Sequence, residues 1–299
     1  MKNYQGKTAV ITGAGSGFGL EVARIAAQRG MNLVLCDVQA DALEKAAAEF
    51  EGKVPVLARR VDVAKAVEME ALAADVKLRF GAPNFVFNNA GVGAGGMVWE
   101  NSLADWEWVL GVNLMGVVHG VRLFTPMMLE AAKADPAFEG HIVNTASMAG
   151  VLNAPNMGIY NVSKHAVVSL SETLYQDLAL VSDQIHCSVL CPFFVPTGIS
   201  QSHRNRPADL AAQKPTKSQL IGQAMSDKAV SSGKVTATQV AGMVFDAMDA
   251  DRFYVFSHPQ SLASVQLRME DVMQQRNPSS PFAAKSEIGE QLKAALRGL

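Results

Sequence analysis

The first two hundred residues repeat one pattern, a short β-branched or apolar run followed by a stretch with helical spacing. TAVIT (8–12) leads into a helical stretch over 17–29, with apolar positions Phe18, Leu20, Val22, Ala23, Ile25 and Ala26, which Gly30 ends. NLVLCD (32–37) precedes the helical ALEKAAAEFE, and PVLARRVDV (55–63) precedes a helix over 65–80. NFVFNNAG (84–91) leads to a long helix over 103–131, and HIVNTAS (141–147) to another over 158–181. IHCSVLCPF (185–193) and FYVF (253–256) are the last strands. Strands that alternate with helices pair in parallel, and a parallel sheet is covered on both faces. The pattern predicts an α/β fold with a doubly wound parallel sheet. Such sheets bind ligands beyond the carboxyl ends of their strands, so the residues that follow each strand carry the functional information.

After the first strand comes TGAGSGFG, Thr12 to Gly19. Gly13, Gly17 and Gly19 frame a tight turn into a helix, with Ser16 and Phe18 between them. Glycines there let the backbone approach a pyrophosphate, whose charge meets the helix N-terminus. The turn follows a predicted strand and opens a helix, the context that gives such a turn meaning as a Rossmann-type dinucleotide site. After the second strand stands Asp37, placed to accept hydrogen bonds from an adenosine ribose diol and to repel a 2′-phosphate. No arginine or lysine adjoins it in sequence, and Ser16 is neutral, so NAD is expected rather than NADP. Asp62-Val63 follows the third strand, where a carboxylate could hold the adenine amino group while Val63 packs the ring. Asn88-Asn89-Ala90-Gly91 follows the fourth, with small residues that let the backbone run close to a ribose.

Ser147 follows the fifth strand, and thirteen residues on come Tyr160 and Lys164 in YNVSK. Four residues on a helix place both side chains on one face. A free tyrosine ionises near pH ~10, and bringing it to ~7 costs roughly 4 kcal/mol. One cation at 4 Å in an effective dielectric near 20 supplies about 4 kcal/mol. Lys164 is thus sufficient in sign and size to make Tyr160 a usable base, although burial alone would push the phenol the other way.

TGAGSGFG, NNAG, Ser147 and YNVSK, in this order and spacing, resemble the short-chain dehydrogenase/reductase family over about residues 5–200. The resemblance implies that Tyr160 is the general acid/base, Lys164 holds the nicotinamide ribose and Ser147 holds the substrate oxygen. Asn113, in GVNLMG, matches the family asparagine that props a water beside the lysine. Pro192, Val195 and Thr197 would lie along the cofactor, with Thr197 at the nicotinamide carboxamide. The sequence departs from the family where Phe193 stands in place of the usual glycine after Pro192. The activity implied is hydride transfer between NAD(H) and a secondary alcohol or ketone. Two other readings are a dinucleotide sensor on the same fold and a reductase of activated double bonds. A sensor has no need of Ser147, Tyr160 and Lys164 together, and enoyl-reducing relatives usually space the tyrosine and lysine more widely.

Val92, Met97, Val98, Met148, Val151, Met157, Phe193 and Phe194 are candidates for an apolar pocket, which suggests a bulky hydrophobic or aromatic substrate. Residues 196–235 are polar, with several prolines and no clear period, and read as an active-site lid in preference to a disordered segment. Thr236 to Gln239 resembles a capping box opening a helix over about 237–249. A helical extension of the same single domain is expected over 261–299, with Ile288, Leu292, Leu296 and Leu299 near one face, packed on its own domain or on a second subunit. A chain with 26 basic and 28 acidic residues has no electrostatic footprint for nucleic acid. No uninterrupted apolar run suggests a membrane span, and the N-terminus does not read as a signal peptide. Cys36, Cys187 and Cys191 lie in apolar strands and read as reduced, buried thiols of a cytoplasmic protein. His119, His165 and His203 show no metal-ligand spacing. A homodimer or homotetramer is expected, as in most members of the family.

Overall fold

The protein is described by a computed structural model over residues 1–211, 214–282 and 286–298. Among the described residues, strands β1 (Thr8–Thr12), β2 (Asn32–Asp37), β3 (Val56–Arg60), β4 (Phe85–Asn88), β5 (Gly140–Thr145), β6 (Ile185–Cys191) and β7 (Tyr254–Phe256) form one sheet. Their order is β3-β2-β1-β4-β5-β6-β7, and every adjacent pair is parallel. The order reverses between β1 and β4, where Ile11 pairs with Phe87. That reversal opens a crevice at the strands' carboxyl ends.

Alternation along each strand divides the core. Ile11, Leu35 and Phe87 pack with Val22 and Ala26 of α1 (Gly17–Gln28) and with Val244 and Phe245 of α8 (Ala237–Asp249). Val10, Val34, Val86 and Ile142 face the other way. They meet Met69 and Leu72 of α3 (Ala66–Phe80), Phe124 and Met128 of α5 (Gly116–Ala134), and Leu174 of α6 (Gly158–Val181). Both faces of each central strand are therefore buried, which is why these strands read as continuous apolar runs. Cys36, Cys187 and Cys191 are buried free thiols, and burial raises the pKa of each.

The helix expected over 103–131 is broken in register. α4 (Leu103–Leu110) passes into one π-helical turn, Gly111–Met115, before α5 begins. A π turn carries an extra residue and is often found at functional sites. The whole run Leu103–Ala134 is long and apolar enough to cross a membrane, and half of its most apolar window is buried inside the chain. That window is a core helix by its packing: Phe124 and Met128 are fully buried against β4, β5 and α3.

Residues 196–235 are more ordered than their polarity suggests. They hold a 3-10 segment over Gly198–Asn205, a 3-10 turn over Ala208–Leu210 and the 15-residue helix α7 (Lys217–Ser231). Thr216 and Gln219 form a capping box at the start of α7, as Thr236 and Gln239 do for α8. Residues 212 and 213 fall outside the described residues. In the tail, α9 (Leu262–Met273) is followed by α10 (Ser286–Arg297), which lies against α7 and buries Leu292. Ile288 and Leu296 are half-buried, and Leu299 lies outside the described residues.

Candidate active site

Gly13 and Gly17 adopt φ of +66° and +56°, the left-handed region that favours glycine. A side chain at Gly13 would also meet Ala90 Cα and Asn89 Nδ2 at 3.0 Å, so the turn lies directly on the segment after β4. Gly19 serves a different end: its Cβ would stand 2.1 Å from the Gly13 carbonyl oxygen, so α1 packs onto the turn only because Gly19 has none. Gly19 therefore shapes the site from behind and does not line it. Ser16 is the N-cap of α1 and makes no side-chain capping bond. The first N–H groups of α1 thus point from an uncapped helix start, as an anion requires.

Thr12 ties the two strand ends together. Its hydroxyl accepts from Asn89 N at 2.8 Å and Ala90 N at 3.0 Å and donates to Phe87 O at 3.3 Å. Asn89 Nδ2 returns a bond to Thr12 O at 3.0 Å. Asp37 is buried at the end of β2. One carboxylate oxygen accepts from Gly15 N and the other from Gln39 N, both at 2.9 Å. The carboxylate thus braces the glycine turn, and each oxygen keeps a lone pair for a further donor. Asp62 likewise accepts from Ala64 N at 3.0 Å.

These residues line one cleft of about 250 Å³. In strand order it is lined by Asp62 and Val63 after β3, Asp37 after β2, Gly13, Ser16, Gly17 and Phe18 after β1, and Asn89, Ala90, Gly91 and Val92 after β4, with Tyr160 and Lys164 of α6 and with Pro192 and Thr197 after β6. The start of α5 packs directly on the residue after Asp62, since a Cβ on Gly116 would lie 2.7 Å from Val63 Cγ2.

Tyr160 and Lys164 rise from the first turns of α6 on one face. Lys164 is buried, and its Nζ donates to Thr145 O at 2.9 Å. A Cβ on Gly91 would come 3.7 Å from that Nζ and 3.4 Å from Asn113 Oδ1, so the three residues converge. Asn113 is fully buried in the π turn. Its Oδ1 accepts from Val92 N at 2.8 Å, and its Nδ2 donates to Val92 O at 3.0 Å and Ser163 Oγ at 3.1 Å. Ser163 Oγ in turn donates to Tyr160 O at 2.8 Å. The Asn113 side chain therefore joins the segment after β4 to the helix that carries Tyr160. Ser147 Oγ accepts from Ala149 N at 3.1 Å and donates to Pro192 O at 3.3 Å, beside Tyr160.

Burial pushes the Tyr160 phenol above the ordinary tyrosine range, and only the Ser147 hydroxyl opposes it. Lys164 Nζ stands 5.7 Å from the centre of the Tyr160 ring. Burial also draws Lys164 down to about 8. Burial thus opposes ionisation of the phenol, the direction expected of burial alone.

The lysine shift has a measurable consequence for stability. A lysine depressed from 10.5 to about 8 binds fewer protons folded than unfolded between those pH values, so its contribution to stability rises with pH across that window. Wild type should gain about 3 kcal/mol on Lys164→Met between pH 7 and pH 10.5. Urea unfolding of both proteins at the two pH values checks this. An unchanged difference would mean that Lys164 titrates normally.

The remaining pocket candidates scatter. Met148 and Val151 are buried in the core with Val167 and Val189, and Val195 is buried with Leu190 and Val240. Met148 and Val151 follow β5, Val195 follows β6, and all three are buried in the core. Phe193 is 40% exposed and packs on Phe194 and His258, so it stands outside the cleft with Phe194. Met97 and Met157 are half-buried, and Val98 is exposed; none of the three lines the cleft. Gly198, Ile199, Ser202, Arg204, Asn205, Pro207 and Leu210 line one side of the cleft, and the segment they belong to is tied to the loop after β4. Ser202 Oγ accepts from Gly93 N at 2.8 Å, and Ser218 Oγ accepts from Met97 N at 2.9 Å. Gly222 sits against Gly95, where a Cβ would approach the facing backbone to 3.1 Å.

Sequence reasoning missed Thr12, Thr145 and the lid's Arg204, Pro207 and Leu210 as cleft residues or their supports. A threonine ending a strand just before the glycine turn was a usable signal for Thr12. None marked Arg204.

Residues 7–208 match a family model described as short chain dehydrogenase. A CLA biosynthesis dehydrogenase/reductase of Lactiplantibacillus plantarum is 32% identical over 280 residues, 91% of this chain and 95% of that protein. A 1-deoxy-11-beta-hydroxypentalenate dehydrogenase of Streptomyces exfoliatus is 32% identical over 273 residues, 90% of each chain. The crystal structure of a short chain dehydrogenase/reductase from Burkholderia phymatum in complex with NAD is similar with a TM-score of 0.90 at 50% identity. That similarity covers 94% of this chain and 99% of the other.

Proposed function

The chain belongs to the short-chain dehydrogenase family of oxidoreductases, and from that premise we propose that it transfers a hydride between NAD(H) and a secondary alcohol or ketone. One observation carries the reading. Tyr160 and Lys164 line the same single cleft as the glycine turn and Asp37, with Ser147 beside the tyrosine. The uncapped start of α1, the Asp37 carboxylate and the close approach at Gly91 fit a dinucleotide laid along that cleft. NAD also stands in the similar Burkholderia phymatum structure.

When bound, the dinucleotide supplies hydride exchange at its nicotinamide ring. The chain does the rest. Ser147 and Tyr160 hold the substrate oxygen through their hydroxyls. Tyr160 donates its proton to that oxygen during ketone reduction and takes it back during alcohol oxidation. Lys164, fixed on Thr145 O, brings a cation that favours the ionised phenol. Asn113 holds the helix of Tyr160 in register with the segment after β4. The lid excludes water from the site. The substrate proposed is a bulky hydrophobic or aromatic one.

Absorbance at 340 nm tests the reading, with NAD or NADP and a panel of aliphatic, aryl and steroid secondary alcohols. NADH should form with one bulky class, and kcat/KM should favour NAD by about tenfold or more, since a 2′-phosphate would face Asp37. Activity with NADP alone would overturn the role of Asp37. Silence across the panel with NAD binding intact would favour the sensor reading.

A further inference from the structure

The cleft has a charge problem that the glycine turn does not solve. A pyrophosphate carries two negative charges, and residues 12–19 contain no cation. Three cationic side chains line the cleft among the described residues. Lys164 lies at its nicotinamide end. Lys65 lies at the adenine end beside Asp62 and Val63, with its Nζ 4.0 Å from Asp209 of the lid. Arg204, also from the lid, lines the cleft beside Gln39, which follows β2, and Gly198.

Its guanidinium is held by its back. Nη1 donates to Gln201 O at 2.8 Å and to Gly198 O at 3.2 Å, and Nε points to Gln39 Oε1 at 3.3 Å. Nη2 makes no hydrogen bond among the described residues, and a Cβ on Gly198 would lie 3.1 Å from it. Gly198 follows Thr197, whose methyl would stand 3.6 Å from a Cβ on Gly17. The guanidinium therefore sits one residue from the point where the lid meets the glycine turn. Gln39 also donates its backbone N–H to Asp37, so Asp37, Gln39 and Arg204 form one connected series from ribose site to lid.

We propose that Arg204 is a cofactor-binding residue, carried by the lid across the cleft to bind the pyrophosphate of the dinucleotide. The proposal rests on the dinucleotide reading above. An arginine presents planar donors that match phosphate oxygens, and charge-assisted bonds of this kind are stronger than neutral ones. Because Arg204 is exposed, solvent screens the bond and the expected effect is moderate. The lid then closes on the cofactor as well as on the substrate, and NAD leaves only when this arginine lets go.

Calorimetric titration of the full-length protein with NAD, NADP and ADP-ribose, at low and high salt, tests this in wild type, Arg204→Gln and Arg204→Lys. Arg204→Gln should bind NAD and ADP-ribose about threefold to tenfold more weakly. Its affinity should depend less on salt, and Arg204→Lys should recover most of the loss. Four results would overturn the assignment. NAD affinity could be unchanged in Arg204→Gln while wild type binds normally. The loss could be independent of salt and unrescued by lysine, which would make Arg204 a packing element of the lid. It could be confined to NADP, which would make Arg204 a reader of the 2′-phosphate. A wild type that binds no dinucleotide would bring down the cofactor reading and the arginine's role together.

Discussion

Tyr160→Phe is expected to lower kcat by about 10²–10⁴-fold while leaving NAD affinity within about twofold. The phenol hydroxyl is the group in the cleft that can carry the proton, and the ring that shapes the wall survives the substitution. Calorimetry with NAD and a turnover assay on one purified sample separate the two effects. Turnover like wild type in the variant would remove Tyr160 from the mechanism. The pH profile sharpens the test. Burial keeps the phenol neutral in the free protein, so the acid needed for reduction is present at neutral pH without adjustment. Oxidation needs the phenolate. Its rate should rise with pH through the pKa of Tyr160 in the complex, and reduction should fall through the same value. In the free protein Lys164 is cationic only below about 8, so the cation that favours the phenolate fades as hydroxide becomes available.

Gly19→Ala should be the most damaging small substitution at the site. The added methyl would stand 2.1 Å from Gly13 O and 2.7 Å from Gly13 C, and backbone cannot step aside as a side chain can. Either α1 lifts off the turn or the turn loses the shape that approaches the ligand. Overpacking of this kind costs about 1–3 kcal/mol. NAD affinity should fall with stability, because the same carbonyl and helix start define both. The same change at Gly242, inside α8 with nothing within 4 Å of its Cβ position, should stabilise the chain by about 1 kcal/mol. Thermal melts of the two variants decide the matter. A Gly19→Ala protein that melts like wild type would mean that the turn yields where the geometry says it cannot.

What could be read from the residues was the set of strand ends. β-branched runs and glycine punctuation are local signals, and in a parallel sheet they also locate the site, so TGAGSGFG, Asp37, NNAG and YNVSK mark one cleft. Other features were hidden for physical reasons. α7 holds few buried apolar residues, so it shows no period, although Thr216-Lys-Ser-Gln219 is the same capping signature that was legible at Thr236. The contact between Arg204 and Gln39 spans 165 residues and leaves no local trace. Met148 and Val195 carry the same side chains whether they face a core or a pocket, and only the twist of the chain after β5 and β6 decides. The balance between burial and charge at Tyr160 depends on distances that spacing along a helix does not specify.

The lid's fastening has a thermal consequence. Ser202, Ser218 and Gln219 hold it through hydrogen bonds, and of the residues of α7 only Ser218 and Val230 are buried. Opening such an element uncovers little apolar surface, so it carries a small heat-capacity change, whereas unfolding the sheet carries a large one. The two processes therefore follow different temperature curves. On warming, the lid loosens gradually while the sheet stays intact until its cooperative transition. Amide hydrogens of 198–205 and of α7 would exchange long before those of β1 and β4. An enzyme built this way reaches an upper working temperature set by the lid, well below the temperature at which its core melts.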